Sequence, residues 1–123
     1  MNVRKDDRGV VAVEFALIAP VILTLLLGTF EFSSRFERAG VLNNAAFVAA
    51  KDLTVNHDLA KATALARKAG APDSAVITVT PNVESCTTGS DITVTIKATE
   101  ESPTKAFGAT FVVKGTGVAR CDD

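Results

Sequence analysis

The sequence predicts an α+β chain: a long N-terminal transmembrane helix that extends outside the membrane, a second short helix, then a three-stranded antiparallel sheet. Three observations predict it. One uninterrupted apolar run lies near the N-terminus. A 4-3 spacing of apolar positions follows it. Val/Thr-rich alternation then takes over the last third of the chain.

Residues 10–30 read VVAVEFALIAPVILTLLLGTF. As a helix these roughly 21 residues span about 31 Å, enough for a bilayer core of about 30 Å. Arg4, Lys5 and Arg8 precede the run, against Asp6 and Asp7, so the short N-terminal side is expected in the cytoplasm and the rest outside. A secretory signal peptide is the competing reading. Its apolar core is shorter, and it ends at a small-x-small site, whereas this run ends in Thr29-Phe30-Glu31-Phe32. Inside the run, Glu14 must be protonated, paired or drawn to the interface. Pro20 removes a backbone donor and predicts a kink or local loosening. Gly28 offers a place for close helix packing.

Beyond the run, 31–53 contain no Pro. Phe32, Phe36, Ala39, Asn43, Ala46, Ala50 and Leu53 form an amphipathic seam. Glu31, Arg35, Glu37, Arg38 and Lys51 are expected to fall mostly away from it. The helix is therefore expected to leave the membrane unbroken, as one rod from near Val10 to near Leu53. Thr54-Val55-Asn56 reads as a polar break, and 57–69 as a second helix with Asn56 as N-cap and Gly70 just past its end. His57 has no second His or Cys nearby and is read as an exposed helix-start residue, not a metal ligand or a catalytic base.

Strands are expected near 75–80, 91–99 and 110–120. Ile77 and Val79 share one face of the first. Ile92, Val94, Ile96 and Ala98 line one face of the second. Phe111, Val113, Gly115, Gly117 and Ala119 line one face of the third. Glu100-Glu101 reads as a solvated turn. The simplest topology is a meander packed on the helices. In a meander the first turn, with Cys86, and the end of the third strand, before Cys121, share one edge. A disulfide is then reasonable, closing a loop of about 36 residues and contributing about 3–4 kcal/mol in the chain-entropy view. Two free thiols or a redox pair are the alternatives. A bridge requires an oxidising compartment, which agrees with the orientation given by Arg4, Lys5 and Arg8.

Composition excludes several functions. Hydrophobic residues make up 47% and charged residues 22%, with net charge -1, which argues against disorder and against nucleic-acid binding. There are seven Phe but no Trp or Tyr to stack on bases or sugars. One His and two Cys are too few for a self-contained Cys/His zinc site, and no cofactor is expected. Gly115-x-Gly117 lies in a strand pattern, so it is not a phosphate loop. Ser33-Ser34, His57 and Asp58 form no nucleophile signature, and no enzyme is expected.

Gly9-x-x-x-x-Glu14, with basic residues before it and an apolar run beyond, resembles a type IV prepilin processing site. The longer string Arg8 to Pro20, then Leu25-Leu26-Leu27-Gly28 and Glu31-Phe32, resembles the TadE-like family, the pseudopilins or minor pilins of tight-adherence (Flp) pilus systems. Leu42-Asn43-Asn44-Ala45-Ala46 and Ala49-Ala50 are similar to the family's second stretch. Phe15 stands where the abundant Flp pilins tend to have Tyr, which favours the minor component.

The resemblance implies a leader over 1–9, cleavage by a prepilin peptidase between Gly9 and Val10, a membrane helix over 10–30, and a periplasmic head over 31–123. Glu14 would compensate the new α-ammonium of Val10. The implied partners are the peptidase, companion pseudopilins and Flp pilin, the inner-membrane assembly platform and membrane lipid. The implied location is the bacterial inner membrane, single-pass, or the pilus itself. The alternatives are an unprocessed single-pass protein whose disulfide-linked head binds another envelope partner, and a secreted domain with a long signal peptide.

Overall fold

In the computed structural model, residues 3–122 are described, with side chains from residue 7 onward. The elements are α1 (Val3–Asn56), α2 (Leu59–Lys68), β1 (Val76–Thr80), a 3₁₀ turn (Val83–Ser85), β2 (Asp91–Glu101) and β3 (Thr110–Arg120). The predicted α+β class is the observed one.

The first helix has 54 residues and is about 80 Å long. Pro20 lies inside it and does not end it. The turn above Pro20 is tied by Thr24, whose hydroxyl donates to the Pro20 carbonyl at 2.8 Å. The apolar window of this helix is wholly unburied, and it is long and apolar enough to cross a membrane. Only the upper part of α1 packs on the head.

The expected polar break at 54–56 is absent. The helix runs through Asn56, whose side chain donates to Asp52 at 2.6 Å. The reversal falls one residue later, on His57 at φ 52. Asp58 is then extended, and its carboxylate accepts from the backbone of Ala60 at 2.9 Å and Lys61 at 3.3 Å. Asp58, not Asn56, is thus the N-cap of α2, and a carboxylate there also complements the helix dipole. His57 belongs to the link rather than to the helix start. At the other end Gly70 (φ 124) donates to Arg67 and Ala71 to Ala66, both at 3.1 Å, a Schellman closure with Ala66 and Ala71 buried together.

The sheet order is β1-β2-β3, all antiparallel, as a meander requires. Its inner face carries Ile92, Val94, Ile96, Ala98, Phe111, Val113 and Ala119, all buried. β2 outruns its expected end: Glu100 pairs with Phe111 and Glu101 with Thr110, so these two carboxylates are strand residues and not a solvated turn. The alternation there continues through two charged residues because their partners on β3 hold the ladder.

The helix meets the sheet through small residues. Leu42, Ala45, Ala46, Ala49, Ala50 and Leu53 of α1 are buried. Opposite them, a Cβ on Gly115 would collide with the backbone of Leu42, and one on Gly117 with the backbone of Ala46 and Phe47. The alanines and these two glycines together let the helix axis approach β3 more closely than larger side chains allow. Asn43 caps the contact, accepting from the exposed Thr116 backbone N–H at 2.8 Å. Fully buried Leu42, Leu53, Ile92 and Ile96 each contribute about 1.5–3 kcal/mol by leaving water.

The lower end of the expected seam differs. Phe32 and Phe36 are 72% and 74% exposed and stack on each other, while Glu31 is only 4% exposed. Below Ala39 the neighbour of the helix is the hydroxyl-rich β2–β3 connection, 102–109. It supplies donors rather than apolar surface, so a carboxylate turns inward and the aromatics outward.

Candidate functional site

Glu31 stands one residue beyond the 10–30 run, and the β2–β3 connection folds down onto it. Its Oε1 accepts from the Ser102 hydroxyl, from the Thr104 backbone N–H at 3.0 Å and from the Thr104 hydroxyl at 2.5 Å. The connection is itself braced. Ser102 donates its N–H to the Ala109 carbonyl at 2.9 Å, and the Lys105 N–H donates to the Ser102 hydroxyl oxygen at 3.1 Å. The Ser102 hydroxyl, then that of Thr104, hold the Glu31 carboxyl below its ordinary value of 4.5. Burial opposes the shift, and the Thr104 N–H and the Arg35 charge assist it.

The second oxygen is different. Oε2 is buried and has no hydrogen-bond partner. The Arg35 Nε is 4.0 Å away, beyond hydrogen-bond reach, and the guanidinium lies 4.8 Å from the centroid of the Phe111 ring. One turn higher, Arg38 donates to Glu100 Oε1 at 2.5 Å and 3.0 Å. Glu31, Arg35 and Arg38 therefore staple the lower face of α1 to the sheet. Beside Glu31 opens a groove of about 330 Å³ lined by Gly28, Phe32, Arg35 and Phe107.

On sequence Glu31, Arg35 and Arg38 belong mostly to the outward side, whereas in the structure all three engage the head. A signal for the opposite assignment was present: the 4-3-4 steps from 31 to 35, 38 and 42 run directly into the buried face at Leu42. The row beginning at Phe32 has the same spacing and more apolar residues, which hid it.

The other singled-out residues occupy three separate places. Gly9, Val10, Glu14 and Phe15 lie exposed along the lower part of α1, and Pro20 is exposed above them. Glu14 is about 26 Å below Glu31 along the axis, so it does not meet the head. Gly28, in the apolar run, lines the Glu31 groove. The side chains of Arg4 and Lys5 lie outside the described ones, while Arg8 is exposed. At the far end Cys86 and Cys121 form a disulfide with Cα atoms 5.5 Å apart, and Cys121 is 1% exposed. The Cys121 N–H donates to Ser90 and its carbonyl accepts from Gly89, each at 2.8 Å, prolonging the β2–β3 pairing past Arg120. A cavity of about 570 Å³ beside the bridge is lined by Lys51, His57, Thr87 and Asp122 among others. Among the described residues no three His, Cys, Asp or Glu side chains cluster to hold a metal.

The model of the family described as TadE-like protein matches residues 9–51. Over those residues the chain is similar to that family. No curated protein and no solved structure matches the chain. The TadE-like segment opens at Gly9 and includes the whole apolar run, Glu31 and the alanine face that packs on β3. Among the described residues one helix is long and apolar enough to cross a membrane, Asp7–Asn56 near the N-terminus, and it contains this segment.

Proposed function

We propose that this chain is a pseudopilin or minor-pilin component of Tad pilus assembly that works by contacts rather than by catalysis. A prepilin peptidase removes residues 1–9. The 10–30 segment then holds the chain in the inner membrane, N-terminus in the cytoplasm and head in the periplasm, where it joins companion pseudopilins, Flp pilin and the assembly platform in pilus biogenesis and adhesion.

The observation that carries this reading is the unbroken course of α1 from Gly9, the first TadE-like residue, through the exposed apolar window into the head. Such a rod offers one continuous face to neighbouring helices. Gly9 supports the cleavage step. It lies within the helix, where glycine is about 1 kcal/mol poorer than alanine, so the chain opens there more readily for a protease. The absence of a side chain also leaves the cleft unobstructed. Glu14 supports the assembly step, because its carboxylate can compensate the ammonium created at Val10 in its own chain or a neighbour's.

N-terminal sequencing of protein from membranes, with and without the peptidase, tests the reading. The expected product begins at Val10, and Gly9→Phe keeps the initiator methionine. Glu14→Ala is expected to be cut but to fail in assembly. Membrane-held protein that keeps residues 1–9 beside an active peptidase would instead support an unprocessed single-span protein with a partner-binding head.

A further inference from the structure

The Glu31 groove contains an unsatisfied charge. A buried carboxylate oxygen without a hydrogen-bond donor is costly, and native structures rarely leave one so. Oε1 has three donors and Oε2 has none. Arg35 does not meet the need, since its Nε stands off at 4.0 Å and its guanidinium rests over Phe111. The groove thus has a buried, unpaired carboxylate oxygen in its wall and, on its rim, a cation that is 44% exposed.

Its depth narrows the choice of ligand. Glu31 follows directly on the segment read as spanning the bilayer, so the groove lies at the level of lipid headgroups. Its surroundings suit that level: Phe30, Phe32 and Phe107 are 67%, 72% and 57% exposed. Exposed Phe side chains can dip toward the acyl side of this boundary while Arg keeps its charged head in water. Gly28 forms part of the wall, and a Cβ built on it meets nothing within 4 Å, so the space is open.

We propose that this groove binds a zwitterionic phospholipid headgroup carrying a primary ammonium, with the ammonium donating to Glu31 Oε2 and the phosphate accepting from Arg35. The proposal rests on residues 10–30 spanning the membrane. Charge matches charge: one carboxylate and one guanidinium against one ammonium and one phosphate. A trimethylated headgroup has no N–H to give Oε2. A glycerol headgroup has no cation at all.

The test uses the full chain reconstituted in vesicles of phosphatidylethanolamine, phosphatidylcholine and phosphatidylglycerol in equal parts, with lipids retained on release measured by native mass spectrometry. The expected result is phosphatidylethanolamine retained about tenfold over phosphatidylcholine, the size of a lost charged hydrogen bond. Glu31→Gln is expected to abolish the preference. Gly28→Leu, which fills the groove and leaves the Ser102 and Thr104 hydrogen bonds in place, is expected to abolish it with an unchanged melting temperature. Equal retention of the lipids, selection of phosphatidylglycerol, or a preference that survives Gly28→Leu overturns the proposal. A preference lost whenever a companion subunit is added assigns the groove to a protein amine and overturns it too. A chain extracted from the vesicles by alkaline carbonate overturns the membrane span and the headgroup site together. A chain that stays embedded without preference overturns the headgroup site alone.

Discussion

At the scale of single residues, Glu31 has the most to say. Its carboxyl is held below the ordinary value by hydroxyl donors, so in the folded chain it stays ionised to lower pH than in the unfolded one. The stabilisation is fully present above the unfolded value of about 4.5 and is lost as pH falls through the depressed folded value. Ser102→Ala should raise the folded value and shrink this acid-sensitive component. Melting temperatures of the full chain in detergent, followed from pH 7 to pH 3, should show the variant falling less steeply than the parent below pH 5. Parallel curves would remove Glu31 as the source. This residue also marks where the sequence could not be read. An acid beside an apolar run is, on charge alone, a solvated residue. Its burial depends on Ser102 and Thr104, some 70 positions away, and no local pattern connects them.

At the scale of elements, the contact between α1 and β3 depends on the absence of side chains. Gly117→Val should push the helix off the strand, at a cost of about 1–3 kcal/mol or more, because the colliding atoms are backbone and cannot rotate aside. Asp58→Ala removes the N-cap of α2 and should cost about 1 kcal/mol. Urea titration of the two variants in detergent checks both values and their order. The strands themselves were legible, since the alternation in 91–99 and 110–120 carries its own face assignment. The tight approach was only half legible. Inward Gly115 and Gly117 were visible as positions, but the fact that a helix backbone fills the space they leave depends on the Ala45-Ala46 and Ala49-Ala50 pairs facing them. The misplaced cap has a similar cause. Asn56 and Asp58 are both good N-caps, and the choice between them was made by His57 taking the positive φ of the reversal.

At the scale of the whole molecule, the head is a thin two-layer structure closed at one end by the Cys86–Cys121 bridge and at the other by the Glu31 clamp. Cys86→Ser should lower the stability of the oxidised protein by about 3–4 kcal/mol and leave the reduced protein unaffected, as denaturant melts with and without a thiol reductant would show. An equal loss in both would mean that the bridge is not what holds that end. Between the two closures runs α1, and it continues as unbroken helix into the exposed apolar portion. That stiffness has a geometric consequence. Each residue of a helix advances the azimuth by about 100° and the height by about 1.5 Å. A single alanine inserted within 21–27 would therefore swing the sheet to a different compass bearing relative to the lower apolar turns while leaving both ends intact. Any neighbour that grips the apolar segment and the head at once must be tuned to that phase, so the specificity of such a contact can be written as an angle as much as a surface.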